Sequence, residues 1–415
     1  MESWIPYSSK RLFFKEEKEM KRLYAVVLAL ALCLGLAACG TGNPENDTDD
    51  SSTSASDSTG TQDSEGSQTE STASVLYFTG FIGDFGLNDM GWNAANAAAE
   101  KYGYDLTLVE FGQDTSQAVA SLVDALDTKH YDYVICMSWY IGDTIIEKSK
   151  SGEWSDITFI MYDTSPDTDL SGTDNIYGIA FAQNEGSFLT AVYSALMTKS
   201  NKIGVCINLD TPITNDFGAG WLCGYKYAVS EMGMDLEMVY SYMDELSVLS
   251  NYETVNVIMD NGCDYVFDVA GSYILGAMQA ADEKGGTEAG KFIIGCDYDQ
   301  YSYFKQTGEV QGWDTLVTSM LKNVEPCVAL IFENINGEAS GIEPGNHVYG
   351  LAEGGVSLAD NENYQANTPQ DVQDQISEIA QMIIDGEIDV VSYYDFESYD
   401  SFAAYRDNPD APFAP

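Results

Sequence analysis

"DYVICMSWYIGDTII" occupies Asp132–Ile146, and "DYVFDVAGSYILGAM" occupies Asp264–Met278. Both open on Asp-Tyr-Val, continue as an apolar strand and pass into a helical pattern. The pair is not isolated. "KYGYDLTLVE" (Lys101–Glu110) matches "EMGMDLEMVY" (Glu231–Tyr240), and "ITFIMYD" (Ile157–Asp163) matches "KFIIGCD" (Lys291–Asp297). "NDMGW" (Asn88–Trp92) is echoed loosely by "NDFGAGW" (Asn215–Trp221). Four matches in the same order, at offsets between 127 and 134 residues, mark a duplicated chain.

Each copy reads strand, helix, glycine, strand, helix, strand, helix, strand. Runs such as Val134–Met137 and Phe292–Cys296 are continuously apolar, as in strands covered on both faces. The alanine-rich helix Asn93–Tyr102 stops at Gly103, and Gly233 does the same job in the second copy. Alternating strands and helices predict an α/β fold of two doubly wound parallel-sheet lobes. Ligands of such sheets bind beyond the carboxyl ends of the strands.

The cleft is therefore expected from Gly83–Asn93, Ser138–Tyr140, Asp163, Tyr242–Asp244, Ala270–Ser272 and Asp297–Gln300. These segments hold the aromatics Trp92, Trp139, Tyr140 and Tyr242, together with Gly271. They also hold the acceptors Asp89, Asn93, Asp163, Asp244, Asp297 and Asp299. Aromatic faces suit flat rings, and carboxylates accept from ring N–H groups or sugar hydroxyls. The plainer reading is core or seam packing for each aromatic, and helix capping for Asp163 and Asp297.

Ahead of this body, Met20-Lys21-Arg22 gives a basic start, with residues 1–19 a possible misassigned start. The apolar Leu23–Leu36 is too short to span a membrane, which needs roughly 20 residues. With residues 1–38 it reads as a signal peptide. Leu36-Ala37-Ala38-Cys39 resembles the lipobox of bacterial lipoproteins, where the new N-terminal Cys39 takes lipid chains; an ordinary signal peptide that happens to contain Cys is the alternative. Each buried methylene contributes about 0.8 kcal/mol, so several chains anchor stably. Thr41–Ser74 is rich in Ser, Thr, Asp and Glu, without Lys, Arg or aromatics, and reads as a disordered tether. The expected location is the extracytoplasmic face of the cell membrane.

The net charge is −48. Nucleic acid demands a basic footprint and is excluded as a partner. Past Cys39 the only arginine is Arg406, so no arginine clamp for an anion is available, and a neutral or cationic ligand fits better. His130 and His347 lie far apart, and no cysteine pair has CxxC spacing, so no metal site and no cofactor are expected.

Further motifs carry a resemblance. "GDFGLNDMGWNAA", "FAQNEGSFLTAVYSALMTKSNKIGVCINLDTPITNDFGAGWLCGYKYA", "IIGCDYDQ", "LVTSMLKNVE" and "GLAEGGVSL" together resemble the BMP family of basic-membrane-protein or PnrA-like lipoproteins. These are substrate-binding components of ABC importers for nucleosides, and the likeness covers most of Val75 to about Leu358. It implies a type I periplasmic-binding-protein fold, a purine nucleoside closed between two lobes, an ABC permease as partner, a monomer and no enzymatic activity. Carried over by motif, Trp92 stacks on the base with Asn93 after it and Asp89 before it. Tyr242 gives the second face of the ring clamp, Asp163 reads the base edge, and Asp297 and Lys322 hold the ribose hydroxyls. Lys322 has support of its own as one of few cations, just after a strand; a surface lysine in the acidic shell is the plainer reading. The chain departs from the family pattern in having Trp92 and Tyr242 for Phe, and Gly91 for Ser.

The expected division is 75–183 plus 318–338 for lobe 1 and 184–317 plus 339–400 for lobe 2. Residues 401–415 are read as a tail. Hinges are expected near Gln183–Glu185, Trp313–Ser319 and Asn336–Ile342, and Val372–Ile384 as a helix against a lobe. Three other readings remain. One is a polyamine-like cation or sugar binder on the same fold. Another is a nucleoside hydrolase using Asp89 and Asp163. The third is a structural surface protein.

Overall fold

A computed structural model of the chain describes residues 72–84, 86–308 and 310–413. The expected signal peptide, Cys39 and nearly all of the tether lie outside them. The first copy of the duplication runs β1 (Ser74–Thr79), α1 (Leu87–Tyr102), β2 (Asp105–Glu110), α2 (Ala118–Thr128), β3 (Tyr133–Met137), α3 (Ser138–Lys150), β4 (Thr158–Thr164) and β5 (Ile176–Phe181). The second runs α4 (Gln183–Met197), β6 (Lys202–Ile207), α5 (Pro212–Ser230), β7 (Glu237–Tyr242), α6 (Val248–Asp260), β8 (Tyr265–Val269), α7 (Leu275–Glu283), β9 (Phe292–Asp297), α8 (Gln300–Thr307) and β10 (Leu316–Lys322). The chain ends with α9 (Val324–Ile335), β11 (Gly345–Tyr349), β12 (Val356–Leu358), α10 (Glu362–Asn367), α11 (Gln370–Ile384) and α12 (Tyr399–Asp407).

Two six-stranded sheets result, ordered β2-β1-β3-β4-β5-β11 and β7-β6-β8-β9-β10-β12. The pairings are parallel except β10 with the short β12. The two orders correspond strand for strand, as the duplication predicts. The Asp-Tyr-Val openings do the same work in both copies. The Asp132 carboxylate accepts the Ser74 N–H at 2.7 Å, tying down the start of β1. Asp264 accepts the Lys199 and Ser200 N–H groups at 2.8 and 3.0 Å, ahead of β6.

The sheets divide the chain differently from the expected boundaries. Residues 318–322, expected in the first lobe, run on from Leu316 and Val317 in the second sheet beside β9. The chain then crosses at Asn323, and α9 packs on α1 of the first lobe. Gly345–Tyr349 adds to the first sheet beside β5, although 339–400 was expected in the second. The chain crosses again before β12. Of the three expected hinges, Gln183–Glu185 lies at a crossing; the other two crossings are at Asn323 and between Tyr349 and Val356. An apolar strand is equally at home in either sheet, so its burial pattern does not say which one it joins.

Of the expected tail, residues 401–413 pack on the second lobe. Phe402 and Tyr405 of α12 are buried against the second lobe. The buried Lys226 ammonium donates to the Asn408 carbonyl and lies 4.6 Å over the Tyr405 ring. Burial lowers its pKa to about 8. Helix α11 packs on α4, as Val372–Ile384 was expected to lie on a lobe.

Helices α4 and α5 meet backbone to backbone. A Cβ on Gly220 would stand 2.0 Å from the Asn184 carbonyl oxygen, and one on Gly224 would stand 2.4 Å from that of Phe188. Neither neighbour can move without separating the helices. Gly220→Ala is expected to destabilise the protein by about 3 kcal/mol or more, as overpacking against main chain does. Urea unfolding midpoints of the variant and the parent check this.

Candidate functional site

Both sheets reverse direction of build at β1 and β3, and at β6 and β8, where strand order 2-1-3 opens a crevice at the carboxyl ends. A cavity of about 670 Å³ lies there, lined from both sheets. From the first come Phe81, Asp84 and Asn88 after β1, Trp139 and Tyr140 after β3, and Asp163 in β4. From the second come Asn208 and Thr211 after β6, Phe217 of α5, and Ala270–Tyr273 after β8. Asp297 and Lys322, closing β9 and β10, complete it.

Its most buried charged groups form one cluster. Lys322 Nζ lies 2.7 Å from Asp163 Oδ1 and 3.7 Å from Asp297 Oδ1. Only 2% of the Lys322 side chain is exposed. Burial opposes its charge, but Asp163 and Asp297 outweigh burial and raise its pKa. Its ammonium also stands 4.8 Å over the Phe217 ring. Burial raises the Asp297 carboxyl, with Lys322 acting against the rise. Among the described residues Asp297 Oδ1 accepts no hydrogen bond.

Asp163 and Asp297 occupy matching places in the duplication and share a backbone peculiarity. Their φ values are 59° and 66°, in the left-handed region. Aspartate tolerates this better than most residues, and such strain gathers at binding sites. A bulge at Asp163 accompanies it, where the pairing of β4 with β5 shifts between Tyr162 and Thr164.

Of the residues expected from sequence, Trp139, Asp163, Gly271, Asp297 and Lys322 line this cavity. Asn93 lines a neighbouring one of about 310 Å³ that shares Asp297 and Lys322. Asp89, Trp92 and Tyr242 line neither. Trp92 packs on Tyr77, ring centres 5.8 Å apart. Asp89 accepts the Gly83 N–H at 2.7 Å and closes the loop before α1. The Tyr242 hydroxyl donates to Asn215 Oδ1 at 2.7 Å, and Arg406 lies 5.8 Å from its ring. The expected Trp92–Tyr242 ring clamp is thus not formed at this cavity, because both rings are used in packing. Trp139, 66% exposed, is the aromatic open to solvent at the mouth.

Asn88, Asp84 and Phe217 are cavity residues that were not singled out. Asn88 Nδ2 donates to Asp84 Oδ2 at 2.9 Å, and Asn88 Oδ1 accepts from Thr79 at 2.5 Å. Beneath it the Tyr77 and Tyr162 hydroxyls share a hydrogen bond of 2.8 Å. A Cβ at Gly91 would stand 2.5 Å from both hydroxyl oxygens. The departure to glycine at position 91 therefore makes room for this tyrosine pair, a contact that no local pattern in the sequence announces.

The model for the family described as "Bmp: ABC transporter substrate-binding protein PnrA-like" matches residues 71–392. This chain belongs to the Bmp family. Among its relatives, "CD4+ T-cell-stimulating antigen" of Listeria monocytogenes is 25% identical, covering 78% of this chain and 89% of that protein. "Basic membrane protein A" of Borreliella afzelii is 26% identical, covering 79% and 93%. "ABC transporter nucleoside-binding protein BmpA" of Lactococcus lactis is 24% identical, covering 78% and 90%. In fold, the chain resembles a solute-binding protein of an ABC transporter system from Aeropyrum pernix, with TM-score 0.67, 22% identity and coverage of 81% and 98%.

The chain is thus an ABC transporter substrate-binding protein with the expected two-lobe periplasmic-binding fold, rather than an enzyme. It works on the extracytoplasmic side, where such proteins collect their substrates. Among the described residues no helix is long and apolar enough to cross a membrane, and no group of three or more His, Cys, Asp or Glu is placed to hold a metal. The six described cysteines are buried and free.

In this Bmp protein Lys322 compensates two inward-facing carboxylates. Lys322→Met removes that compensation and is expected to cost about 3–5 kcal/mol at pH 8. The sign with pH follows from the burial that already raises Asp297. Without the cation the Asp297 carboxyl is raised further and takes up a proton as pH falls, so the deficit shrinks toward pH 5. Denaturant midpoints of both proteins at the two pH values measure this.

Proposed function

We propose that this protein is the lipid-anchored receptor of an ABC importer and that it carries a purine nucleoside, or a similar neutral ring-plus-sugar ligand, to its permease. The observation that carries this reading is a cavity lined from both sheets, with the aromatics Trp139 and Tyr140 in its wall and a Lys–carboxylate cluster among its lining groups. Its volume falls within the roughly 300–1,000 Å³ of small-molecule sites. The Lactococcus relative named for nucleoside binding supports the same ligand class.

Trp139 offers a face to the base. Asp297 Oδ1, with no donor of its own, accepts from a ribose hydroxyl. Lys322 spends one N–H on Asp163 and has two more to give. A ligand touching both lobes binds the closed arrangement better than the open one, and only that difference shifts the balance toward closure. Three carboxylates, Asp84, Asp163 and Asp297, also favour a cationic ligand, but Lys322, held between Asp163 and Asp297, opposes one.

Calorimetric titration with guanosine, adenosine, inosine, ribose and spermidine tests the reading. A nucleoside is expected to bind without release of free base, and spermidine is expected not to displace it. Heat from spermidine alone would establish the cationic reading instead. Trp139→Ala is expected to weaken nucleoside binding by about tenfold or more, since base stacking on an aromatic contributes roughly 1–3 kcal/mol. For the anchor, Cys39→Ser is expected to move the protein from the detergent phase to the aqueous phase on partitioning of cell extracts. Retention in the detergent phase would refute lipidation at Cys39.

A further inference from the structure

Three main-chain crossings join the lobes, and side chains lace them together. At the first, Glu185 Oε2 accepts the Leu351 N–H of the third at 2.7 Å. At the second, Asn323 Nδ2 donates to the Gly354 carbonyl of the third at 2.8 Å. Residues 388–396 lie against this hinge without being one of the crossings. Asn184 Nδ2, beside Glu185, donates to the Val390 carbonyl at 3.0 Å. Asp216, 1% exposed on α5, serves hinge and segment at once. Its Oδ2 accepts from Gln183 Nε2 of the first crossing at 3.0 Å, and its Oδ1 accepts from Ser392 Oγ and the Tyr393 N–H at 2.6 and 2.9 Å. Ile388, Val390 and Val391 are buried, and the Tyr393 ring packs on Phe402 of α12 with centres 5.1 Å apart.

This segment is rooted in the second lobe and held more lightly by the first. Among the described residues its one hydrogen bond to the first lobe joins the Tyr394 and Ser165 hydroxyls, 2.8 Å apart. Ser165 directly follows β4 and stands two residues from Asp163. Its main chain is fixed from β11, where Asn346 Nδ2 donates to the Ser165 carbonyl at 2.9 Å and Asn346 Oδ1 accepts from Thr164 at 2.6 Å. Tyr394 thus reaches a fixed point of the first lobe, beside the aspartate that meets Lys322 of the other lobe. When the lobes separate, the crossings bend because they are main chain, whereas a side-chain contact parts. The Tyr394–Ser165 contact is the weakest link in this chain of bonds and parts before the roots in the second lobe. A contact made in one arrangement and lost in the other shifts the balance between them.

We propose that residues 388–396 form a strap that latches the lobes through Tyr394 and Ser165 in the arrangement where Lys322 meets Asp163, which makes Tyr394 a positioning residue that slows ligand release. The inference rests on the cavity between the sheets being the nucleoside site. Tyr394 does not line that cavity, so it acts through the lobes and not on the ligand. Tyr394→Phe keeps the ring and removes the hydroxyl that makes the latch. Ser165→Ala removes the other half of the contact.

Spin labels on Ser116→Cys and Glu245→Cys, exposed neighbours of the lining residues Thr115 and Leu246, read the width of the cavity mouth from one lobe to the other. In the full chain without ligand, Tyr394→Phe is expected to show longer distances than the parent, and saturating guanosine to bring both to the same distance. Stopped-flow binding of guanosine, adenosine and inosine should show dissociation about threefold to tenfold faster in Tyr394→Phe, the worth of one hydrogen bond, with association unchanged. Ser165→Ala should lose at least as much, since it also gives up its bond to Asp167. The double variant should be no weaker than Ser165→Ala alone, as holds for two partners in one contact. A strap with only a structural role lowers the unfolding midpoint and leaves the distances and dissociation rates at the parent's values, and that result overturns the proposal. Full additivity in the double variant overturns it as well. If the parent binds no nucleoside, the nucleoside reading fails by itself. The distances in the free proteins then decide the latch: longer ones in Tyr394→Phe uphold it, and equal or shorter ones refute it.

Discussion

An ammonium held between two inward-turned carboxylates organises this molecule. Lys322 comes from the second sheet and Asp163 from the first, so their 2.7 Å contact is also a contact between lobes. Charges this deeply buried lose their hydration, and their attraction compensates only when geometry is good. Here the geometry is imposed by backbone. Asp163, next to last in β4, and Asp297, last in β9, both take the left-handed conformation, which turns the carboxylate out of the pleat and toward the lysine. Because the two aspartates occupy matching places in the duplicated pattern, one cation is faced by a carboxylate from each lobe, hydrogen-bonded to Asp163 and 3.7 Å from Asp297.

Around this cluster, the lobes are tied at more than the three crossings. Asp216 on α5 accepts from Ser392 Oγ and the Tyr393 N–H at 2.6 and 2.9 Å. One residue on, the Tyr394 hydroxyl accepts from Ser165 in the first lobe at 2.8 Å. The segment that follows α11 therefore bridges both lobes two residues from Asp163. Glycines 220 and 224 bring α4 and α5 close enough to seat that segment, so helix packing, C-terminal strap and site form one connected arrangement.

Much of this was legible in the sequence, and for identifiable reasons. The duplication showed because strands buried on both faces must be apolar throughout, and two copies of such a pattern stand out. The loops that line the cavity followed from strand ends, which is why Trp139, Gly271, Asp163 and Asp297 could be named. Trp92 and Tyr242 failed as a clamp because an aromatic near a strand end can turn toward cleft or core with the same local sequence. Tyr77 and Tyr162, 85 residues apart, decide that Gly91 must be small, and such pairings have no local signature. The lobe assignments of residues 318–322 and 345–349 failed for a related reason, since nothing in "LVTSMLK" says which neighbour it will take.

The interleaving of the last strands has a consequence for biogenesis. Each sheet receives its sixth strand from residues 345–358, well after the other five have been made. A chain emerging from the ribosome can assemble most of either half, yet it leaves a raw sheet edge on each until the final stretch arrives. On the extracytoplasmic side where this protein works, neither sheet is complete until residues 345–358 have arrived.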